Sequence, residues 1–293
     1  MMDLRWIPSL SLLVLLSACG TVPRSGGYFE DDGPEERPPV DIAGIPDAVP
    51  KSEPLATSGN KPYAVYGKTY TPLFDTTGYR ERGIASWYGK KFHGKRTSSG
   101  EPYDMYAMTA AHKTLPLPSY VRVRNLQNGR AIIARVNDRG PFLHDRLIDL
   151  SYAGAAKLGF LGTGTGIVEV EAIRSEDPSV QVAQSQKPVI EIIPSAVAAD
   201  SPPRPASVSS PKLYLQVGAF SRWDNAINLR ARLQRETERP IFILSALVPN
   251  ERAPEAVRLY RVRIGPLADV QEGDQLSDRV TKLGITDTRI VVE

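Results

Sequence analysis

Five short runs between residues 83 and 173 carry the apolar pattern of strands: GIASWY, YAMTAA, YVRVRNL, AIIARVN and GIVEVEAI. Each is rich in Val, Ile, Tyr or Thr, several alternate, and Gly, Asn, Ser or Pro separates one from the next. Asn128-Gly129 falls between two of them, which is the strongest short-range signal for a hairpin. The run SYAGAAKLG breaks the alternation and predicts a brief helix, capped by Ser151 and stopped at Gly159. Regularly spaced strands with a single helix predict a small β-barrel over residues 80–174.

The period changes after residue 211. LYLQVGAF alternates as a strand, and WDNAINLRARLQRE places Ala226, Leu229 and Leu233 at the i, i+3, i+7 spacing of a buried helical stripe. IFILSALV and RLYRVRIGPL read as strands, DVQEGDQLSDRVTKLG as a helix and TRIVVE as a last strand. The order βαββαβ over residues 211–293 predicts an α+β domain: one antiparallel sheet with two helices on one face and the other face open. Alternation sends Leu213, Leu215, Val217, Val262 and Ile264 toward the helices. It leaves Tyr214, Gln216, Arg261 and Arg263 on the open face.

The remainder lacks such patterns. Of 25 prolines, nine lie between residues 20 and 79 and seven between 175 and 211. This composition predicts a tether over 19–79 and a linker over 175–210. Aromatic residues at Tyr63, Tyr66, Tyr70, Phe74 and Tyr79 suggest that the end of the tether packs on the barrel. The start, MMDLRWIPSLSLLVLLSACG, has one Arg and then a Leu-rich run too short to span a bilayer but suited to a secretory signal over residues 1–18. Its ending, Leu16-Ser17-Ala18-Cys19, resembles a bacterial lipobox, which implies cleavage before Cys19 and a lipid anchor there. Gly20 follows rather than Asp, which favours the outer membrane over the inner one. As the only cysteine, Cys19 leaves no disulfide to brace either domain.

Charge sharpens the picture. The net charge is +3, but residues 80–174 hold 15 Lys or Arg against 8 Asp or Glu, a difference of +7. A basic exported domain fits an anionic wall polymer and not cytoplasmic nucleic acid. The three histidines, at 93, 112 and 144, have no metal-ligand spacing, so neither a metal nor a cofactor is expected. Glu101, Asp104, His112 and Asp138 all lie where a strand-like run meets a turn. Paired acids at a groove are what glycosidic cleavage uses, one to protonate the leaving oxygen and one to steady positive charge. Asp138 continues the apolar face of Ile132, Ala134 and Val136, a setting that raises a carboxyl pKa; an Asx turn in NDRGP is the competing reading. Glu101 and Asp104 suit turns and caps equally well. An isolated His is more often structural, and Trp87 and Tyr88 suit sugar stacking or core packing.

ASWYGKKFHGKRTSSGEPYD, MTAAHKTLPLP and RVNDRGPF closely resemble the rare lipoprotein A family, and LQVGAF and YRVRIGP resemble SPOR domains. The resemblance implies a double-psi β-barrel joined by a linker to a SPOR domain that binds peptidoglycan. It implies a lytic transglycosylase, a lyase that cuts between N-acetylmuramic acid and N-acetylglucosamine on glycan stripped of stem peptides. The family's acids and histidine fall on Glu101, Asp104, His112 and Asp138. In that reading Asp138 serves as acid and then base, Glu101 and Asp104 orient substrate or stabilise positive charge, His112 binds sugar, and the open face of the SPOR sheet takes glycan. The protein would be a lipoprotein facing the periplasm, with septal enrichment and division-site partners. A wall-binding scaffold without catalysis remains an alternative, because similar barrels loosen plant walls without hydrolysis, and so does a hydrolase, in which two acids at suitable separation would activate water.

Overall fold

The computed structural model describes residues 32–33, 41–143, 145–174, 211–249 and 256–293. The lipobox Cys19 and the linker over 175–210 lie outside the described residues.

Six strands close into a barrel: β3 (Arg80–Tyr88), β4 (Thr109–His112), β5 (Ser119–Asn125), β6 (Ala131–Asp138), β7 (Ile148–Ser151) and β8 (Gly166–Ile173). They neighbour one another in the order β3-β7-β4-β6-β5-β8. The β3–β7 and β4–β6 pairs are parallel, and the other pairs are antiparallel. Alternation turns Val121, Val123, Ile132, Ala134, Val136, Ile148, Leu150, Val168 and Val170 into one core. Each of the larger side chains contributes about 1.5–3 kcal/mol by leaving water. Helix α1 (Tyr152–Leu158) begins where the Ser151 side chain accepts from the Gly154 N–H and ends at left-handed Gly159, as its sequence predicts.

Two features of this half depart from expectation. Strand β7 carries only four residues and was not foreseen. Residues 41–62 are not a solvated tether either: together with 63–79, whose packing on the barrel the aromatic residues predict, they wrap the barrel as a belt. Within the belt a 3-10 turn (Ile42–Gly44) leads to a hairpin of β1 (Tyr63–Val65) and β2 (Lys68–Tyr70). Asp47 accepts from the Ile133 N–H, Asn60 holds both the N–H and the carbonyl of Leu117, and Tyr63 Oη donates to the Lys113 carbonyl. Tyr63 stacks on Tyr70 and takes the edge of Phe142, whereas Tyr66 and Phe74 stay exposed.

The second domain has β9 (Leu213–Phe220), α2 (Trp223–Leu233), β10 (Ile241–Val248), β11 (Val257–Leu267), α3 (Val270–Lys282) and β12 (Arg289–Val292). Its antiparallel sheet has the order β10-β11-β9-β12. Leu215, Val217, Val262 and Ile264 are buried with Ala226, Leu233, Leu276 and Val280 of the helices. The domain meets the barrel near β12 and α3. Arg289 reaches Glu81 at 2.9 Å, the buried Arg146 pairs with Asp274, and Ile84 and Ile167 are buried beside the second core.

Candidate active site

Strand β4 lies between β6 and β7, and its residue Ala111 is opposite Asp138 on one side and Asp149 on the other. Asp149 in turn is opposite Ser86 on β3. Side chains at paired positions project to the same face of a sheet, so Ser86, Asp149, Ala111 and Asp138 form a row across four strands. All four line one groove, together with Trp87, Arg139 and Gly140.

A bulge brings Asp138 into this row. Ala110 pairs with Val136 and Ala111 with Asp138, so Asn137 is the extra residue on β6. Strict alternation places Asp138 on the apolar face of Val136; the bulge instead turns it to the outer face beside Ala111. Its Oδ1 accepts from the Ser98 N–H (2.7 Å), the Ser98 hydroxyl (2.6 Å) and the Arg139 N–H (2.7 Å). Three converging donors suit an anion. The Arg139 guanidinium points elsewhere, to the carbonyls of Gly59, His112 and Leu115.

Asp149 is held differently. It is partly buried, and the Ser86 hydroxyl donates to its Oδ1. Burial pushes its carboxyl up to about 6, against the opposing pull of the Ser86 hydrogen bond and the charges of Arg146 and Lys113. Gly140, at φ 140°, passes over the row; a Cβ there would lie 3.8 Å from Asp149 Oδ2 and 3.9 Å from Ala111 Cβ. That backbone conformation favours glycine.

The other acids foreseen from sequence do not line this groove. Glu101 accepts from Arg135 Nη1 through both oxygens at 2.8 Å and from Asn137 Nδ2 at 3.2 Å. The other arm of Arg135 holds Glu53 of the belt, with two bonds of 2.9 Å. Glu101 therefore anchors the loop that presents Ser98. Asp104 is half exposed and accepts from the Tyr106 N–H, closing an Asx turn. His112 is buried, 3% exposed, because it follows Ala111 on an extended strand and so points to the opposite side. Its Nδ1 accepts from the N–H groups of Thr114 and Leu115, which assigns the proton to Nε2 and the donated bond to Tyr79 Oη at 2.9 Å. Burial, then Lys113 and Arg139, push its pKa down to about 3, so the ring is neutral. A His satisfied on both nitrogens and turned inward does not reach a sugar in the groove. Tyr88 is buried and stacks on Tyr103 at 4.0 Å, which is core packing; Trp87 lines the groove edge-on to Tyr152.

On the open face of the second sheet a further row crosses four strands: Phe242, Arg263, Gln216 and Arg289 are successive partners. Arg263 is buried rather than free, paired with Glu293 and 3.4 Å from Gln216 Oε1. Tyr214 packs edge-on to Phe242, which is itself exposed and was not singled out from sequence. Arg261 is partly buried on β11 opposite Leu244. Sequence reasoning also missed Asp149 and Ser98. The alternating Ile148-Asp149-Leu150, just ahead of the Ser151 cap, was the available signal for the first.

A family model described as lytic transglycolase matches residues 80–172, and a SPOR domain model matches 209–289. An endolytic peptidoglycan transglycosylase RlpA of Pseudomonas aeruginosa is 42% identical over 92% of both chains. The chain belongs to the RlpA family. Relatives of the same name from Vibrio cholerae and from Neisseria meningitidis serogroup B are 47% and 58% identical. They cover 63% and 43% of this chain and 70% and 53% of their own. Both RlpA domains are thus present, a double-psi β-barrel and a SPOR domain, as the sequence motifs imply.

Proposed function

We propose that this RlpA-family chain is an endolytic peptidoglycan transglycosylase that cuts the β-1,4 bond between N-acetylmuramic acid and N-acetylglucosamine in glycan free of stem peptides. The C6 hydroxyl of the muramic sugar is the nucleophile, so a 1,6-anhydro end forms and no water is consumed. The supporting observation is the row in the barrel groove: two carboxylates held by neutral donors, with only the methyl of Ala111 between them. A tethered nucleophile needs no water site, and a groove floored by a methyl leaves room for a sugar ring.

Asp138 acts on the substrate as a carboxylate facing the developing positive charge. Glu101, Asp104 and His112 position it: Glu101 and Asp104 fix the loop segments after residue 96, and His112 fixes the 112–115 turn into which Arg139 plugs. The open SPOR face, with Tyr214, Gln216 and Arg261 and with the buried Arg263 beneath them holding Gln216, takes glycan and concentrates it for the barrel. A lipid at Cys19 anchors the protein in the cell envelope, at the outer membrane and enriched at the septum, where division-site proteins are partners.

The test is incubation of residues 20–293 with amidase-stripped peptidoglycan and mass spectrometry of the released fragments. Fragments ending in 1,6-anhydromuramic acid are expected. Reducing ends would replace the reading with a hydrolase, and intact glycan that co-sediments with the protein would replace it with a wall-binding scaffold.

A further inference from the structure

Two acids face the groove, and their surroundings are not equivalent. Their strands flank β4 directly, so their backbones are two inter-strand spacings apart, about 10 Å. Asp138 receives two backbone N–H groups and a hydroxyl on one oxygen. Asp149 receives one hydroxyl, and its neighbours Ile148 and Leu150 are fully buried. Burial beside those two side chains favours the protonated form of Asp149. Among the described residues neither carboxylate hydrogen-bonds a basic side chain, in contrast to Glu101 on Arg135, so a change of charge breaks no ion pair there.

Accepting the transglycosylase reading above, we infer that Asp149 is the catalytic acid and base of the reaction and that Asp138 remains the carboxylate that stabilises the oxocarbenium-like centre. As the C1–O4 bond breaks, the Asp149 proton passes to O4 of the departing N-acetylglucosamine. The C6 oxygen then bonds to C1, and the C6 hydroxyl proton goes to the Asp149 carboxylate. Asp149 ends as it began, and no proton or water is consumed. The upward displacement of its carboxyl to about 6 agrees with this role, because the protonated form is then available near neutral pH. Ser86 keeps the carboxyl turned toward the groove, and Ala111 sets the floor between donor and anion.

The deciding experiment compares wild type, Asp149→Asn and Asp138→Asn on two substrates. One is amidase-stripped glycan; the other is a muramic acid glycoside whose leaving group is a nitrophenol, which departs without protonation. Wild type should release 1,6-anhydro ends from glycan with a rate that falls above about pH 6, where the acid loses its proton. Asp149→Asn should lose about 100- to 10,000-fold on glycan and clearly less on the nitrophenyl substrate, where leaving-group protonation is dispensed with and only acceptance of the C6 proton is lost. Asp138→Asn should lose activity on both. Thermal melts confirm folding. A folded Asp149→Asn that cleaves glycan at the wild-type rate, or that is equally impaired on both substrates, overturns the assignment. Wild type without anhydro ends fails at the earlier step and removes the transglycosylase reading itself.

Discussion

Two rows of four side chains cross four strands each in this protein, and they differ in charge and in how that charge is held. In the barrel, Ser86, Asp149, Ala111 and Asp138 present two acids carried by hydroxyl and N–H donors. In the SPOR sheet, Phe242, Arg263, Gln216 and Arg289 present two cations, both drawn into ion pairs, with Glu293 and with Glu81. A buried acid with a single hydroxyl donor, such as Asp149, can exchange a proton at modest cost, whereas paired arginines keep their charge across the physiological range. The first arrangement suits chemistry and the second suits binding. The same contrast separates acids within the barrel: Glu101, locked to Arg135, belongs with the structural charges.

The comparison can be broken at its strongest point. Asp138→Asn keeps shape and hydrogen-bonding size but removes the anion, and cleavage of stripped glycan should fall by about 100- to 1,000-fold with the fold intact. Anhydro-end counting by mass spectrometry checks this, and a folded variant with undiminished turnover removes Asp138 from the chemistry. Next in size, Arg263→Ala should weaken co-sedimentation with glycan about tenfold, leaving turnover of short soluble fragments unchanged, if the cationic row binds and does not catalyse. Equal losses in both assays would mean that the rows are not separable.

Smaller effects sharpen the division. The Ser86 hydroxyl lowers the Asp149 pKa, so Ser86→Ala should move the alkaline limb of the pH–rate profile upward by less than about one unit and slow turnover a few-fold. A downward move would contradict the hydrogen bond. Glu53→Gln removes one partner of the partly buried Arg135 and should cost about 1 kcal/mol by chemical denaturation, without changing turnover at saturating substrate. No change in stability would return the belt to the status of a tether.

Much of the fold was legible because its elements are long and periodic. The other five barrel strands, the Ser151-capped helix and the whole βαββαβ order of the SPOR domain follow from alternation, stripe spacing and caps. What escaped is local and short. Strand β7 has four residues and is stabilised by parallel pairing to β3 and antiparallel pairing to β4, contacts that no window of its own sequence displays. The belt lacks periodicity because it binds through single side chains such as Asp47, Glu53, Asn60 and Tyr63. The candidate site suffered most, since one unsignalled bulge at Asn137 decides which face Asp138 serves, and the unforeseen strand carries Asp149. His112 sits one position past Ala111, and one position on a strand is the other side of the sheet.

The pairing of β4 with strands on both sides has a consequence for how this enzyme could diversify. The interval between the two strands that carry the carboxylates is fixed by hydrogen-bonded backbone and not by any loop. Loop positions that rim the groove without holding either acid, such as Phe92 and Leu143, can therefore change to suit glycans of different decoration while that spacing stays constant. Substrate preference and bond-breaking geometry are, in this barrel, inherited separately.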